Sequence, residues 1–483
     1  MKPLSKSDYT TGLECPGHLW LKYHHKERIP PHSPGVLRRF EQGILVGQLA
    51  QKLFPEGIIV PENYKDNVEK TKELLKKRKP LFEAGFLFEN LYGRADVLVP
   101  TGKDQWDIVE VKSSTKIDKN EHYTDVAFQR YVYEKAGLKI RKCFLMHLNN
   151  EYIRQEELDL QQLFTKEDVT EEIDYLMVEV PEKIEFLWKI IHSPVFPNTA
   201  EKNYCTIPKT CLVKDLCWNF LPEHHVFHLY NSRKNRKFFD EGIHALADVP
   251  DSALSNPQQA IQLRCQKLGQ IHLDKKEIQN FLTTIKEQEC HLDFETCSFA
   301  IPQFKGTRPY QRLPFQFSLH VIKNGKKRHF EYLHDGNNDP RLAFLSALQQ
   351  ILPTEGSVIV YSQGFESSVL KELARDYPDY QIWISSIIAR IIDLRVPFSN
   401  YWYYNPTQHG SASIKKVLPA LIGKGYEGMA IADGDCASIA YLDMNFGNMT
   451  AEKKAQTRKD LLKYCELDTE AMVWIVEKLR KML

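Results

Sequence analysis

The sequence predicts a mixed α/β protein of two domains joined by a helical connector, over residues 1–225, 226–285 and 286–483. Three observations carry that expectation. Residues 85–148 read strand, strand, strand, helix, strand, the order of a small α/β domain. A second α/β pattern opens at CHLDFET (290–296) and closes with a long helical pattern after about Ala451. The stretch between them, 226–285, is polar and helical, with breaks at Pro250 and Pro257.

Each element has a local reason. From Val36 to Phe54 apolar residues recur at helical spacing. GFLFENLYG (85–93), RADVLVP (94–100) and WDIVEVKSS (106–114) read as strands, followed by an amphipathic helix over about Asp125–Gly137 and an apolar strand around Cys143–Leu148. Residues 155–192 read as helical up to the Pro-containing HSPVFPNT. In the second half, Asn324–Gly325 between PFQFSLHVI and KRHFEYLH predicts a β-hairpin. SVIVYS (357–362) is a strand running into a helix from about Glu366, and GSASIKKVLPAL (410–421) reads as a Ser-capped scaffold helix.

Composition bounds the class without naming a function. The 483 residues are long enough for two or three ordinary cores. A net charge of +1 argues neither for nor against nucleic acid, since basic patches can balance acidic metal sites. No apolar run approaches the roughly 20 residues of a membrane span, and Met1–Tyr9 lacks an apolar leader stretch. These features predict a cytoplasmic protein without membrane partners, in which ten cysteines stay mostly reduced.

Three constellations carry chemistry. In GRADVLV, Asp96 lies on a strand, and Glu110 and Lys112 share one face of the next strand. Two such carboxylates suit Mg²⁺ or Mn²⁺, with the lysine orienting or activating water. Gln129 and Tyr133, four apart on the following helix, are expected to contact phosphate and base edge. The second constellation is Cys15 in LECPGHLWLKYH with Cys205, Cys211 and Cys217 in NYCTIPKTCLVKDLCW. Four thiolates fit a 4Fe–4S cluster, and tetrahedral Zn²⁺ is the alternative.

The third begins in HLDFET, where Asp293 and Glu295 share a strand face. Glu366 starts a helix, and Tyr464 and Asp468 lie one turn apart on the last helix. Four carboxylates so gathered can hold two divalent ions about 4 Å apart, with Tyr464 orienting the attacking water. Asp393 in IIDLRVPF is either a support of this site or a cap. Arg308, Arg312, Tyr401 and Tyr403 are weaker candidates for phosphate and base contacts, with hairpin core packing the favoured role for most of the aromatics.

The GRADVLV, EVK and Gln-x-x-x-Tyr motifs resemble the PD-(D/E)XK superfamily, specifically RecB-like nucleases, over about residues 4–220. In many of those enzymes a helix histidine completes the metal site; here GILVGQ puts Gly47 at that position. The departure implies a weaker site or a contribution from Glu41 or Glu83. One-plus-three cysteines around such a core resemble the iron–sulfur nucleases of the AddB and CRISPR-associated RecB-like type, with different spacing of the last three. HLDFET, YSQGFE and KYCELD resemble the DnaQ-like exonucleases of ribonuclease-H fold; Lys463 stands where the histidine subtype has its base, so Tyr464 implies the tyrosine (DEDDy) subtype. Nearly the whole chain resembles a bacterial family of RecB-type nucleases combining both modules.

The resemblance implies a metal-dependent nuclease acting on DNA, with single-stranded ends preferred and 3′ to 5′ removal at the C-terminal site. Alternatives are an RNA substrate, or one active DEDD site beside a RecB-like module that only binds nucleic acid. A redox-sensing cluster on a nucleic-acid-binding scaffold is the non-enzymatic reading.

Overall fold

The computed structural model describes residues 2–61, 63–197, 205 and 211–483. The chain divides into two units. The first is Met1–Asn219 with Phe299–Gln311, and the second is Phe220–Ser298 with Arg312–Leu483. Residues 226–285, expected as a separate connector, therefore belong to the second unit: Ile278, Phe281 and Ile285 share a core with Met472, Ile475 and Val476.

The first unit is built on a seven-stranded sheet. Its helices include α1 (Lys6–Glu14), α2 (Pro16–His24), α3 (Pro34–Gln51) and α4 (Lys119–Lys135). Its long strands are β1 (Leu81–Phe88), β2 (Leu91–Thr101), β3 (Gln105–Lys112), β4 (Lys139–Leu148) and β5 (Phe164–Asp168), hydrogen-bonded in that order. The short strand Leu4–Ser5 pairs with β2, and Ile58–Ile59 pairs with β1. β3 and β4 are parallel, because α4 crosses between them; the other long pairs are antiparallel.

Two expectations are corrected here. The first strand break falls at Glu89–Asn90, with Glu89 at φ 49°, and not between Gly93 and Arg94. Gly93 is inside β2 because α4 packs on it: a Cβ there would stand 3.3 Å from the Tyr133 ring. Residues 155–192 are not helical throughout. They contain the strand β5, whose Phe164 pairs Leu148 and whose Asp168 pairs Phe144, before helices at Thr170–Met177 and Val180–His192.

The second unit carries a five-stranded sheet. Its strands are β6 (Glu289–Cys297), β7 (Leu313–Lys323), β8 (Lys326–Leu333), β9 (Ser357–Val360) and β10 (Ile391–Asp393), in the order β8-β7-β6-β9-β10. β6, β7 and β8 are antiparallel, while β9 runs parallel to both β6 and β10. Asn324 at φ 51° and Gly325 at φ 70° make the tight hairpin turn, which pairs Lys323 with Lys326. The helices are α5 (Arg341–Ile351), α6 (Gln363–Asp376), α7 (Ile414–Ile422), α8 (Gly434–Phe446) and α9 (Ala451–Lys481). Ser413 stands at the start of α7, but its side chain makes no capping bond.

The two-residue period of β6 sorts its side chains by chemistry. Cys290, Leu292 and Phe294 enter an apolar core with Phe344, Leu345 and Leu370. Glu289, His291, Asp293 and Glu295 point the other way, toward α9: Arg480 of α9 pairs with Glu289 and Cys465 of α9 contacts Asp293. Four titratable groups thus stand in a row under one helix. Among the described residues, no helix is long and apolar enough to cross a membrane.

Candidate functional site

The second unit gathers the predicted carboxylates. Ligand oxygens of Asp293, Glu295 and Asp468 all lie within 4.8 Å of one another. Asp293 and Glu295 come from β6 and Asp468 from α9, which is held against the sheet by Ser318 Oγ and Thr469 Oγ1 at 2.7 Å. Glu366 sits in the first turn of α6, buried, with no hydrogen-bond partner for its Oε2 among the described residues. Its charge acts on both Asp293 and Glu295.

Asp393 explains how Glu366 gets there. Its carboxylate accepts hydrogen bonds from the amides of Ser362 (2.9 Å), Gln363 (3.1 Å) and Arg395 (2.9 Å). Ser362 is held in the left-handed region at φ 80°, a conformation a non-glycine residue adopts only under constraint. The cap and the support expected as alternatives are therefore one role: Asp393 caps α6 and so fixes Glu366 at its start.

Electrostatics marks the cluster as short of positive charge. Burial first, then repulsion from Asp468, Glu295 and Glu366, pushes the Asp293 carboxyl far above its ordinary value. Burial and the Asp468 charge raise Glu295 in the same way. Burial raises Asp468 too, although a hydrogen bond donated by the Tyr426 hydroxyl opposes it. Glu366 is pushed up to about 8 by burial and the Asp393 charge. A cation bound here would relieve all four, so the donor set fits hard divalent ions such as Mg²⁺ or Mn²⁺.

Tyr464 is buried beside the cluster and hydrogen-bonds Asp468; burial and the Asp468 and Glu295 charges hold its hydroxyl protonated. Tyr426 and Lys415 escaped the sequence reading. Lys415 Nζ lies 5.8 Å from the Tyr426 ring and 5.9 Å from the Tyr464 ring, and its charge lowers both Glu295 and Asp468. The helix expected to be scaffold thus delivers a cation whose charge reaches two of the carboxylates. Tyr426 lies in a loop where no periodicity applies; Lys415, the second residue of α7, carried no distinguishing signal either.

In the first unit, Asp96, Glu110 and Lys112 also meet. β2 and β3 stop pairing beyond Val97–Val109, and Asp96 Oδ2 takes the Val111 amide at 2.7 Å. Glu110 Oε1 accepts from Lys112 Nζ at 3.0 Å and from Lys6 Nζ at 2.6 Å. Lys112 also pairs with Asp125 on α4. Burial would raise Glu110, but Lys6, Lys112 and the Gln129 amide outweigh it and hold the carboxyl down. Burial and the Glu110 charge push Asp96 up. Lys112, despite burial, is raised by Glu110 and Asp125, so it stays an ammonium.

Gln129 and Tyr133 lie on one helix face as expected, but that face is turned inward. Both are fully buried. Gln129 Nε2 donates to Glu110 Oε2 at 2.7 Å, and the Tyr133 hydroxyl joins Ala84 O to the Ala95 amide. They stand at four-residue spacing with Asp125 on the face of α4 turned to the sheet, with no side-chain surface left exposed. Glu41 pairs with Arg38 in the open, whereas Glu83, at φ 58°, acts on Asp96 and pairs with Arg94. A Cβ at Gly47 would touch nothing within 4 Å.

Of the cysteines, Cys15 and Cys211 share a hydrogen bond that raises the first thiol and lowers the second, and Cys217 acts on Cys15 by charge. All three pack on Trp20, Leu21 and Val213. Much of the segment around Cys205, 198–204 and 206–210, lies outside the described residues. Of the weaker candidates, Tyr401 and Tyr403 are core residues and Arg312 pairs with Glu372; Arg308 has only a loose pairing, 3.8 Å, to Glu151.

A family profile described as "Domain of unknown function (DUF2779)" matches residues 290–413. That span holds Asp293, Glu295, Glu366 and Asp393, and stops before Tyr426, Tyr464 and Asp468. The chain is 29% identical over 212 residues to the "Uncharacterized protein MG366 homolog" of Mycoplasma pneumoniae, covering 40% of this chain and 32% of that protein. It is 28% identical over 221 residues to "Uncharacterized protein MG366" of Mycoplasma genitalium, covering 41% and 33%. "Uncharacterized protein UU173" of Ureaplasma parvum is 26% identical over 223 residues, covering 41% and 32%. The chain thus spans about a third of the length of these relatives. A solved structure titled "Crystal structure of SSO0001" matches 45% of this chain and 86% of its own at 13% identity, with a TM-score of 0.23, which carries no argument.

Proposed function

We propose that the chain is a metal-dependent nuclease whose principal active site lies in the second unit. The observation that carries the proposal is the convergence of Asp293, Glu295 and Asp468, with Glu366 and Tyr464, from a strand and two helices far apart in sequence. Buried carboxylates repel one another, and clusters of this kind concentrate at functional sites. The strand, the helix start and the last helix are the elements that a DnaQ-like, ribonuclease-H-fold reading calls for, and they support it.

Asp293, Glu295, Glu366 and Asp468 would hold the divalent ions, which when bound supply a lowered water pKa and charge for the leaving oxygen. Tyr464 orients the attacking water through its protonated hydroxyl. Tyr426 holds Asp468 in its ligating rotamer, and Lys415 offsets surplus negative charge. The substrate we assign is DNA with a free single-stranded 3′ end, with RNA as the competing polymer. The strand–strand–strand–helix–strand order and the Asp96–Glu110–Lys112 cluster support a PD-(D/E)XK reading of the first unit, and Cys15, Cys205, Cys211 and Cys217 its 4Fe–4S or zinc clasp.

A second reading is favoured at the first site by Lys6, whose ammonium already neutralises Glu110: there the unit is a scaffold and does not cut. End-labelled single-stranded DNA, duplex DNA and RNA, incubated with Mg²⁺ or Mn²⁺, test both. Stepwise mononucleotide release that Asp293→Ala abolishes supports the main reading, and full activity of folded Asp293→Ala on every polymer refutes it. Cleavage that persists in Asp293→Ala and is lost in Asp96→Ala assigns activity to the first unit.

A further inference from the structure

The hairpin turn at Asn324–Gly325 sets His320 of β7 opposite His329 of β8. Their rings stack at 4.5 Å beneath α9, where Glu466 completes a triad with ligand atoms all within 4.8 Å of one another. This cluster is separate from Asp293, Glu295 and Asp468, and independent of the nuclease reading. We propose that His320, His329 and Glu466 form a binding site for one divalent transition-metal ion of the zinc class, with solvent completing its coordination.

The hydrogen bonds behind the imidazoles fix which nitrogens face the ion. Thr469 Oγ1 donates to the Glu466 carbonyl at 3.0 Å. Its single proton spent, that hydroxyl must accept from Ser318 Oγ at 2.7 Å and from His320 Nδ1 at 2.8 Å. Ser318 has then spent its own proton and must accept from His329 Nε2 at 2.9 Å. His320 therefore carries its proton on Nδ1 and His329 on Nε2. That leaves His320 Nε2 and His329 Nδ1 as the nitrogens open to an ion, the second of them beside the Glu466 carboxylate.

Neutral imidazoles oriented through their second nitrogen are the usual support of a metal site. Bonds of about 2.0–2.1 Å to a tetrahedral zinc separate donor atoms by roughly 3.3 Å. His329 Nδ1 and Glu466 Oε1 already stand 3.6 Å apart. His320 forms the buried floor, while His329 and Glu466 are partly exposed and leave an entry path. The ion would tie the edge strand β8 to α9, two residues from Asp468.

The test is Zn²⁺ binding to the full chain in excess Mg²⁺, which occupies the carboxylate sites, read as equivalents bound and as affinity by calorimetry. Glu466→Gln and His329→Gln change rim residues and should each lose one equivalent, leaving any cysteine-bound zinc in place. Thr469→Val keeps all three ligands but removes the hydroxyl that orients His320, and should weaken that equivalent about 10–100-fold. Unchanged stoichiometry and affinity in folded Glu466→Gln and His329→Gln would overturn the site. Unchanged affinity in Thr469→Val would overturn the hydrogen-bond argument on which it stands.

Discussion

Replacing Glu366 with Gln should stabilise the metal-free protein, and should do so only at high pH. Glu366 is 3% exposed and its Oε2 has no hydrogen-bond partner among the described residues, so ionisation in the fold is opposed by lost hydration. Its carboxyl is pushed up to about 8 from an ordinary 4.5. A folded-state value above the unfolded one means that folding takes up a proton between the two. The stabilising contribution is complete below about 4.5, falls as pH rises, and is gone above about 8.

At about 1.4 kcal/mol per unit, the interval from pH 5 to pH 8 amounts to about 4 kcal/mol. The glutamine cannot ionise and does not lose it. Whatever constant penalty the amide brings, the stability difference between Glu366→Gln and wild type should therefore shift in the variant's favour by about that amount between pH 5 and pH 9. At about 2–4 °C per kcal/mol for a unit of this size, the shift is on the order of 10 °C in Tm. Thermal unfolding in chelator at the two pH values measures it directly. A difference that does not change with pH would refute the reasoning, because it would mean that Glu366 ionises in the fold as freely as in water. Mg²⁺ at pH 8 should then favour wild type over the variant.

Tyr426→Phe removes the donor to Asp468, a charge-assisted bond of about 1.5–3 kcal/mol, so calorimetry should find Mg²⁺ bound at least about tenfold more weakly. Tyr133→Phe strands the Ala84 carbonyl and the Ala95 amide inside the first unit. It should cost about 1–3 kcal/mol in urea unfolding, with nucleic-acid affinity unchanged if the residue is internal. Asp393→Ala releases three amides and the strained Ser362; a loss of about 2 kcal/mol with a fall in activity is expected, and Asp393→Asn, which keeps one acceptor oxygen, should recover part of the stability.

What could be read in advance was what periodicity controls. Asp293 and Glu295 share a face because a strand repeats every two residues, and the Asn324–Gly325 turn sets the hairpin register that opposes His320 to His329. The strand β5 escaped because FTKED has a single apolar residue and is set by its pairing with β4. The direction of a polar side chain was equally invisible. Gln129 and Tyr133 fall on one face of α4, but only the sheet decides that the face is inward. Lys6 and Tyr426 reach their carboxylates across 104 and 42 residues of sequence, distances at which local pattern is silent.

The Lys6 ammonium beside Glu110 makes the first unit's carboxylates carry their own counter-ion. Any divalent ion arriving there is an exchanger before it is a ligand, since it must displace a tethered competitor that never diffuses away. Dilution does not weaken such a competitor, and the net charge beside Glu110 rises by only one on exchange. Nor does alkaline solution readily remove it, because the Glu110 and Asp96 charges outweigh burial and raise the Lys6 amine above its ordinary value. A divalent ion at this cluster would therefore bind with an affinity lowered by a constant factor, set by a side chain on α1.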